Sequence, residues 1–188
     1  MVVNDKALLR QMKEAYKNQG YTVAVQNDLM VVNSGFWLAQ INVENVPNEV
    51  LSLITLHTRK VLDNGDAYKV VKGDDGPIVQ KRLIDDALGG IEELEKELET
   101  RDFGQPCMKK TALRYDGCSV WQTTVGLDIF LIDPRYEALI TSSAVVSKVG
   151  NGIYAEGQVS KVWVLRVAVK GSDADNVQHL AQCRWVEA

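Results

Sequence analysis

The sequence predicts an α+β protein: a helix plus antiparallel meander N-terminal region, an acidic helix connector, and an antiparallel β-rich C-terminal region. Three observations carry this reading. Apolar residues recur at helical spacing in three stretches before residue 100, whereas short runs rich in Val, Ile and aromatics, broken by Asn, Asp and Gly, dominate the rest. One stretch, residues 85–102, carries a charge of −6 within a chain whose net charge is −4. The expected domains are residues 1–100, a mixed helix-meander-helix unit ending in the acidic helix, and residues 101–188, the β-rich unit.

In order along the chain, Asn4 or Asp5 is a plausible cap for a first helix whose apolar face holds Leu8, Met12, Ala15 and Tyr16, and Gly20 stands where a terminating glycine belongs. "YTVAVQ", "LMVVN" and "FWLAQINVE" then read as a three-stranded meander, with turns at Asn27-Asp28 and Asn33-Ser34-Gly35. Pro47 suits a helix start, and Val50, Leu53, Ile54, His57 and Val61 repeat at helical spacing until Asn64-Gly65. "AYKVVKG" is a fourth strand and "DDGP" a turn. Ile84, Ala87, Ile91, Leu94 and Leu98, at steps of three and four, give the acidic helix one apolar stripe. "RDFGQPCMKKT" reads as a linker. Beyond it "CSVWQTTV", "LDIFLI", "ALITSSAVVSKV", "VSKVWVLRVAVK" and "NVQHLAQCRWVE" read as strands, the last two as a hairpin with Trp163 and Trp185 on one buried face.

Composition narrows the function. With 46% hydrophobic and 24% charged residues the chain is globular, no apolar run reaches the roughly 18 residues of a membrane span, and the N-terminus lacks a signal-peptide core. A cytoplasmic protein is expected. Cys107, Cys118 and Cys183 match no zinc or redox spacing and are read as reduced thiols. The acidic balance argues against direct nucleic-acid binding, duplex DNA above all, because phosphates are neutralised by clustered Lys and Arg.

Chemistry-bearing residues offer no catalytic signature. His57 lies on an apolar helix face and reads as a core histidine. His179 and Cys183 are too far apart along a strand for proton transfer. Gly150–Gly157, "GNGIYAEG", lacks the helix and Lys-Ser/Thr pair of a phosphate loop and reads as a hairpin turn. Asp116, Asp128, Asp133 and Glu137 are the carboxylates available to a metal-dependent nuclease, but Asp128 and Asp133 bracket a strand and stand roughly 17 Å apart. "GSDADN" lacks the twelve-residue frame and closing Glu of a calcium loop. No cofactor, metal or catalytic residue is assigned. Phe36 and Trp37 must face opposite ways, so either both sheet faces are covered or one aromatic is available to a partner; cover by the flanking helices is the favoured expectation.

The remaining candidate is the acidic helix. Glu92 to Lys96 and Glu97 to Arg101 are favourable pairs, but Glu93 to Glu97 and Glu95 to Glu99 repel by about the same few tenths of a kcal/mol. Glu97 and Glu99 also crowd a helix C-terminus, where negative charge costs about 0.3 to 1 kcal/mol per group. Local stability therefore does not explain the row. Asp85, Asp86, Glu92, Glu93, Glu97, Glu99 and Asp102 form the expected partner-binding set, facing a protein or ribonucleoprotein with a basic surface. A solvated face is the alternative. A hydrolase or nuclease, and a structural or assembly protein, are the other function classes.

The helix, "GYTVAVQNDLMVVNSGFWLAQI" and the proline-initiated "VPNEVLSLI", together about the first 60 residues, resemble small accessory proteins of phages and prophages of Gram-positive bacteria. That resemblance implies a non-enzymatic protein that binds a host or phage macromolecule and thereby inhibits or modulates it. Anti-CRISPR proteins are one such class. No site residue carries over from it.

Overall fold

A computed structural model describes residues 1–99, 107–169 and 172–185. Among them, eleven antiparallel strands form one sheet flanked by helices on both faces, the α+β class the sequence predicts. The elements are α1 (Asp5–Lys17), β1 (Tyr21–Gln26), β2 (Leu29–Asn33), β3 (Trp37–Asn42), α2 (Asn48–Thr58), β4 (Ala67–Lys72), β5 (Pro77–Lys81) and α3 (Ile84–Glu99) in the first part. After residue 106 come β6 (Cys107–Tyr115), β7 (Cys118–Thr123), β8 (Ile129–Ile132), α4 (Pro134–Glu137), β9 (Val146–Val149), β10 (Gly152–Glu156), β11 (Ser160–Leu165) and α5 (Ser172–Leu180).

Local chemistry explains the first elements. The Asn4 side chain accepts from the Ala7 amide at 3.2 Å, capping α1, whose buried face is Ala7, Leu8, Gln11, Met12 and Ala15. Asn27 and Asp28 both take positive φ, 53° and 61°, and so make the two-residue turn whose twist suits a β1–β2 hairpin, with Gln26 opposite Leu29. Asp116-Gly117 repeats the device between β6 and β7. α2 starts after Pro47 but ends sooner than its apolar pattern suggests: Arg59 adopts φ 57°, and Val61 lies beyond the helix, exposed.

The strand order is β5-β4-β1-β2-β3-β11-β10-β9-β6-β7-β8. Strands from before residue 100 therefore meet those from after it edge to edge, through antiparallel pairs such as Leu38 with Trp163 and Ala39 with Val162. Alternation along the strands divides the interior. Tyr21, Val23, Val25, Trp37, Ala39, Ile41, Val162 and Val164 face α1 and α2, while Ala24, Val31, Leu38, Tyr154 and Trp163 face α3. α1 and α3 thus lie on opposite faces of one sheet.

Several expectations are corrected in the second part. Residues 107–111, read within a linker, belong to β6; Lys109 and Lys110 hide the inward Met108 and Thr111 from a hydropathy reading. Only Val146–Val149 of "ALITSSAVVSKV" is a strand, because Pro134–Glu137 is a helical turn and Ile140 makes an isolated bridge to Val3. Gly150 and Asn151 form the turn of a hairpin, but Gly152–Glu156 is strand β10 and not turn. The final hairpin does not form: Trp163 is buried in β11, but residues 172–180 are α5 and Trp185 follows it, exposed. Val177, Leu180 and Ala181 recur at steps of three and one, pack on Val120, Ile129 and Leu131, and so satisfy a helix that the strand reading mistook for alternation.

Candidate functional site

α3 lies across its sheet face on Ala87, Leu88 and Ile91, all buried, with Ile84, Leu94 and Leu98 packed against the same cluster. That is the stripe read from the sequence. With the apolar side fixed, Asp85, Asp86 and Glu99 are left exposed, and none of the three pairs with a cation among the described residues. Along the axis Asp85 and Glu99 are separated by about 20 Å at 1.5 Å per residue, so these carboxylates stand at the two ends of the helix and not in a point cluster.

Two neighbouring carboxylates do other work. Glu97 accepts a hydrogen bond from the Gly150 amide at 2.9 Å and ties the end of α3 to the β9–β10 turn. Glu95 lies 3.6 Å from Lys161, which also sits 3.5 Å from Glu156. The set expected to bind a partner is therefore divided: Asp85, Asp86 and Glu99 face solvent, and Glu97 holds the β9–β10 turn. The side chains of Glu92 and Glu93, and Asp102 entirely, lie outside the described residues.

The residues with catalytic potential are committed elsewhere. His57 is buried; its Nδ1 lies 2.9 Å from the Tyr21 hydroxyl and its ring stacks on Tyr16 with centroids 4.2 Å apart. Burial lowers the pKa of His57 below its usual 6.5. His179 is exposed on α5. Asp128 pairs with Lys148 at 2.7 Å, and Asp133 caps α4 while holding Arg135, whose guanidinium keeps the carboxyl below its ordinary range. Glu137 pairs with Lys110, and Asp116 sits in its turn. Among the described residues no group of three His, Cys, Asp or Glu side chains could hold one metal ion, and the three cysteines are free thiols. Ser172–Asn176 of the "GSDADN" stretch opens α5.

The opposite face holds features that the sequence reading passed over. A cleft of about 490 Å³ opens between α1 and α4, lined by Arg10, Gln11, Glu14, Trp37, Arg135 and Tyr136 among others. Gln11 donates to the Arg135 carbonyl at 3.0 Å and joins the two walls. Trp37 is buried, but Phe36 is 51% exposed, its ring stacked on Tyr136 at 5.7 Å and 8°. Helices cover both sheet faces as expected, but Phe36, just before β3, stays half exposed with Tyr136 of α4 stacked on one face of its ring. The signal was available in the adjacency of the two aromatics.

No family model matches this chain, and no curated protein matches it. Among solved structures it is similar to a candidate DNA polymerase III beta subunit from Eubacterium rectale, at 10% identity and a TM-score of 0.38, over 94% of this chain and 67% of the other. A likeness at that level says nothing about the partners or activity of this chain.

Proposed function

We propose that the chain is a non-enzymatic binding protein that docks the basic surface of a protein or ribonucleoprotein, such as a nucleic-acid-processing complex, on the outer face of α3, inhibiting or modulating it. One observation carries this reading: α3 is anchored from beneath by its apolar stripe and by the Glu97 contact to Gly150, while Asp85, Asp86 and Glu99 remain exposed, without an ion pair among the described residues. The helix gains little from them itself. Asp85 and Asp86 favour the positive end of the helix dipole, but Glu99 opposes it at the other end, by about 0.3 to 1 kcal/mol per group.

A partner's Lys and Arg side chains would meet these carboxylates at the two ends of a helix already held against the sheet. Long-range attraction would raise the rate of encounter, and salt would weaken it. The test is affinity capture with the triple variant Asp85→Lys/Asp86→Lys/Glu99→Lys beside the wild-type chain. Loss of a salt-sensitive partner supports the reading; full retention assigns binding to another surface.

A further inference from the structure

The net charge of −4 averages over two unlike faces. On α1, Lys6, Arg10, Lys13 and Lys17 recur at steps of four, three and four, which places them within an arc of about 60° along about 16 Å of helix. All four are exposed, and among the described residues only Lys17 of the four has an ion-pair partner, Glu14 at 3.4 Å. Arg10 is also a wall of the cleft between α1 and α4. The other wall carries Tyr136, on which the exposed Phe36 ring stacks, with the Arg135 guanidinium 5.6 Å from the Tyr136 centroid. A line of cations one helical turn apart, and across the cleft from Arg10 a half-exposed ring stacked on Tyr136, match the two needs of an unpaired nucleic-acid strand, neutralised phosphates and a surface for a base.

We propose that this face binds single-stranded nucleic acid, the sugar-phosphate backbone running along Lys6 to Lys17 and an unstacked base resting on Phe36. A duplex is excluded from the aromatic, because its bases are paired and stacked within the helix. An acidic peptide could occupy the cations but would leave Phe36 unused. Since α3 lies on the other side of the sheet, this site is independent of the acidic surface, and either can fail without the other.

The test is fluorescence anisotropy of the full chain with a labelled oligo-dT of about 15 nucleotides, long enough to span such a site. With four phosphates neutralised, binding should weaken about 50-fold between about 50 and about 200 mM salt. Phe36→Ala should weaken it about tenfold at fixed salt, and Phe36→Trp should restore it, because every base stacks on an aromatic face. Arg10→Glu/Lys13→Glu should abolish it, with melting temperatures matching the wild type in each case. Three results would overturn the proposal: no anisotropy change at the lower salt, wild-type affinity in folded Phe36→Ala, or equal competition by poly-glutamate or by a duplex of the same length.

Discussion

The Tyr21 hydroxyl and His57 Nδ1 lie 2.9 Å apart inside the layer between α1, α2 and the sheet, with the Tyr16 ring stacked on the imidazole. Both neighbouring rings are uncharged, so burial alone acts on the histidine and lowers its pKa below 6.5. The unfolded chain therefore binds a proton at a higher pH than the folded one. Stability from this site is fully present above pH 6.5 and is lost as the pH falls from there through the depressed folded value. Thermal melting from pH 7.5 to 5 should show the decline beginning below about 6.5, and His57→Gln should flatten that part of the curve. An unchanged slope in the variant would show that other groups cause the decline.

Gly20 ends α1 by donating to the Ala15 carbonyl at 2.7 Å from a φ of +81°. A Cβ there would stand 2.5 Å from the Val70 carbonyl oxygen and 2.7 Å from a Val71 methyl carbon. Gly20→Ala meets both backbone strain and a clash with β4, and should cost about 2 to 4 kcal/mol in denaturant unfolding. Gly65→Ala, with a similar φ of +88° and open space around it, separates the two costs and should lose about 1 kcal/mol.

Gln122 is wholly buried in β7 and holds the C-terminal segment from both ends of its amide. Its nitrogen donates to the Cys183 carbonyl at 2.8 Å, and its oxygen accepts from the Trp185 amide at 2.8 Å. Gln122→Leu removes both bonds and leaves two backbone groups without partners, about 1 to 3 kcal/mol each. Faster hydrogen exchange and proteolysis after Leu180 should follow, while β1 to β3 keep wild-type protection. Unchanged cleavage would show that the packing of Val177 and Leu180 suffices to hold α5.

The parts of this fold legible in the sequence are those whose periodicity coincides with their environment. α1, the meander and the α3 stripe each bury one regular face, and Asn27-Asp28 marks a turn chemically. α5 reads as a strand because Val177, His179, Ala181 and Cys183 alternate in sequence, although among the described residues it is Val177, Leu180 and Ala181 that pack on Val120, Ile129 and Leu131. β6 was hidden because Lys109 and Lys110 interrupt its pattern. At the candidate site, Asp85, Asp86 and Glu99 stand out from the stripe as expected, but the role of Glu97 depends on the β9–β10 turn, more than fifty residues away, and no local pattern reports that. The basic row on α1 is legible at its four positions, but the chain's net charge of −4 conceals it.

Glu97 separates structure from recognition. Glu97→Ala leaves the Gly150 amide without its carboxylate and should cost about 1 to 2 kcal/mol. Because the lost contact lies between α3 and the sheet, partner affinity should fall only through loosening of the helix, and lowering the temperature should recover it. Affinity that stays reduced in fully folded protein would make Glu97 a direct contact.

The salt dependence of partner binding in the Asp85→Lys/Asp86→Lys/Glu99→Lys variant tests the acidic surface of α3 most directly. Reversing Asp85 and Asp86 costs about 0.3 to 1 kcal/mol each at the helix N-terminus, and reversing Glu99 recovers a similar amount at the other end, so the fold should survive. Titration of the captured partner against wild-type and variant chains at rising ionic strength should give a steep salt slope for the wild type and, for the variant, an affinity at least tenfold lower with a flat slope. A folded variant with wild-type affinity and an unchanged salt slope would contradict the claim that the outer face of α3 is a binding surface.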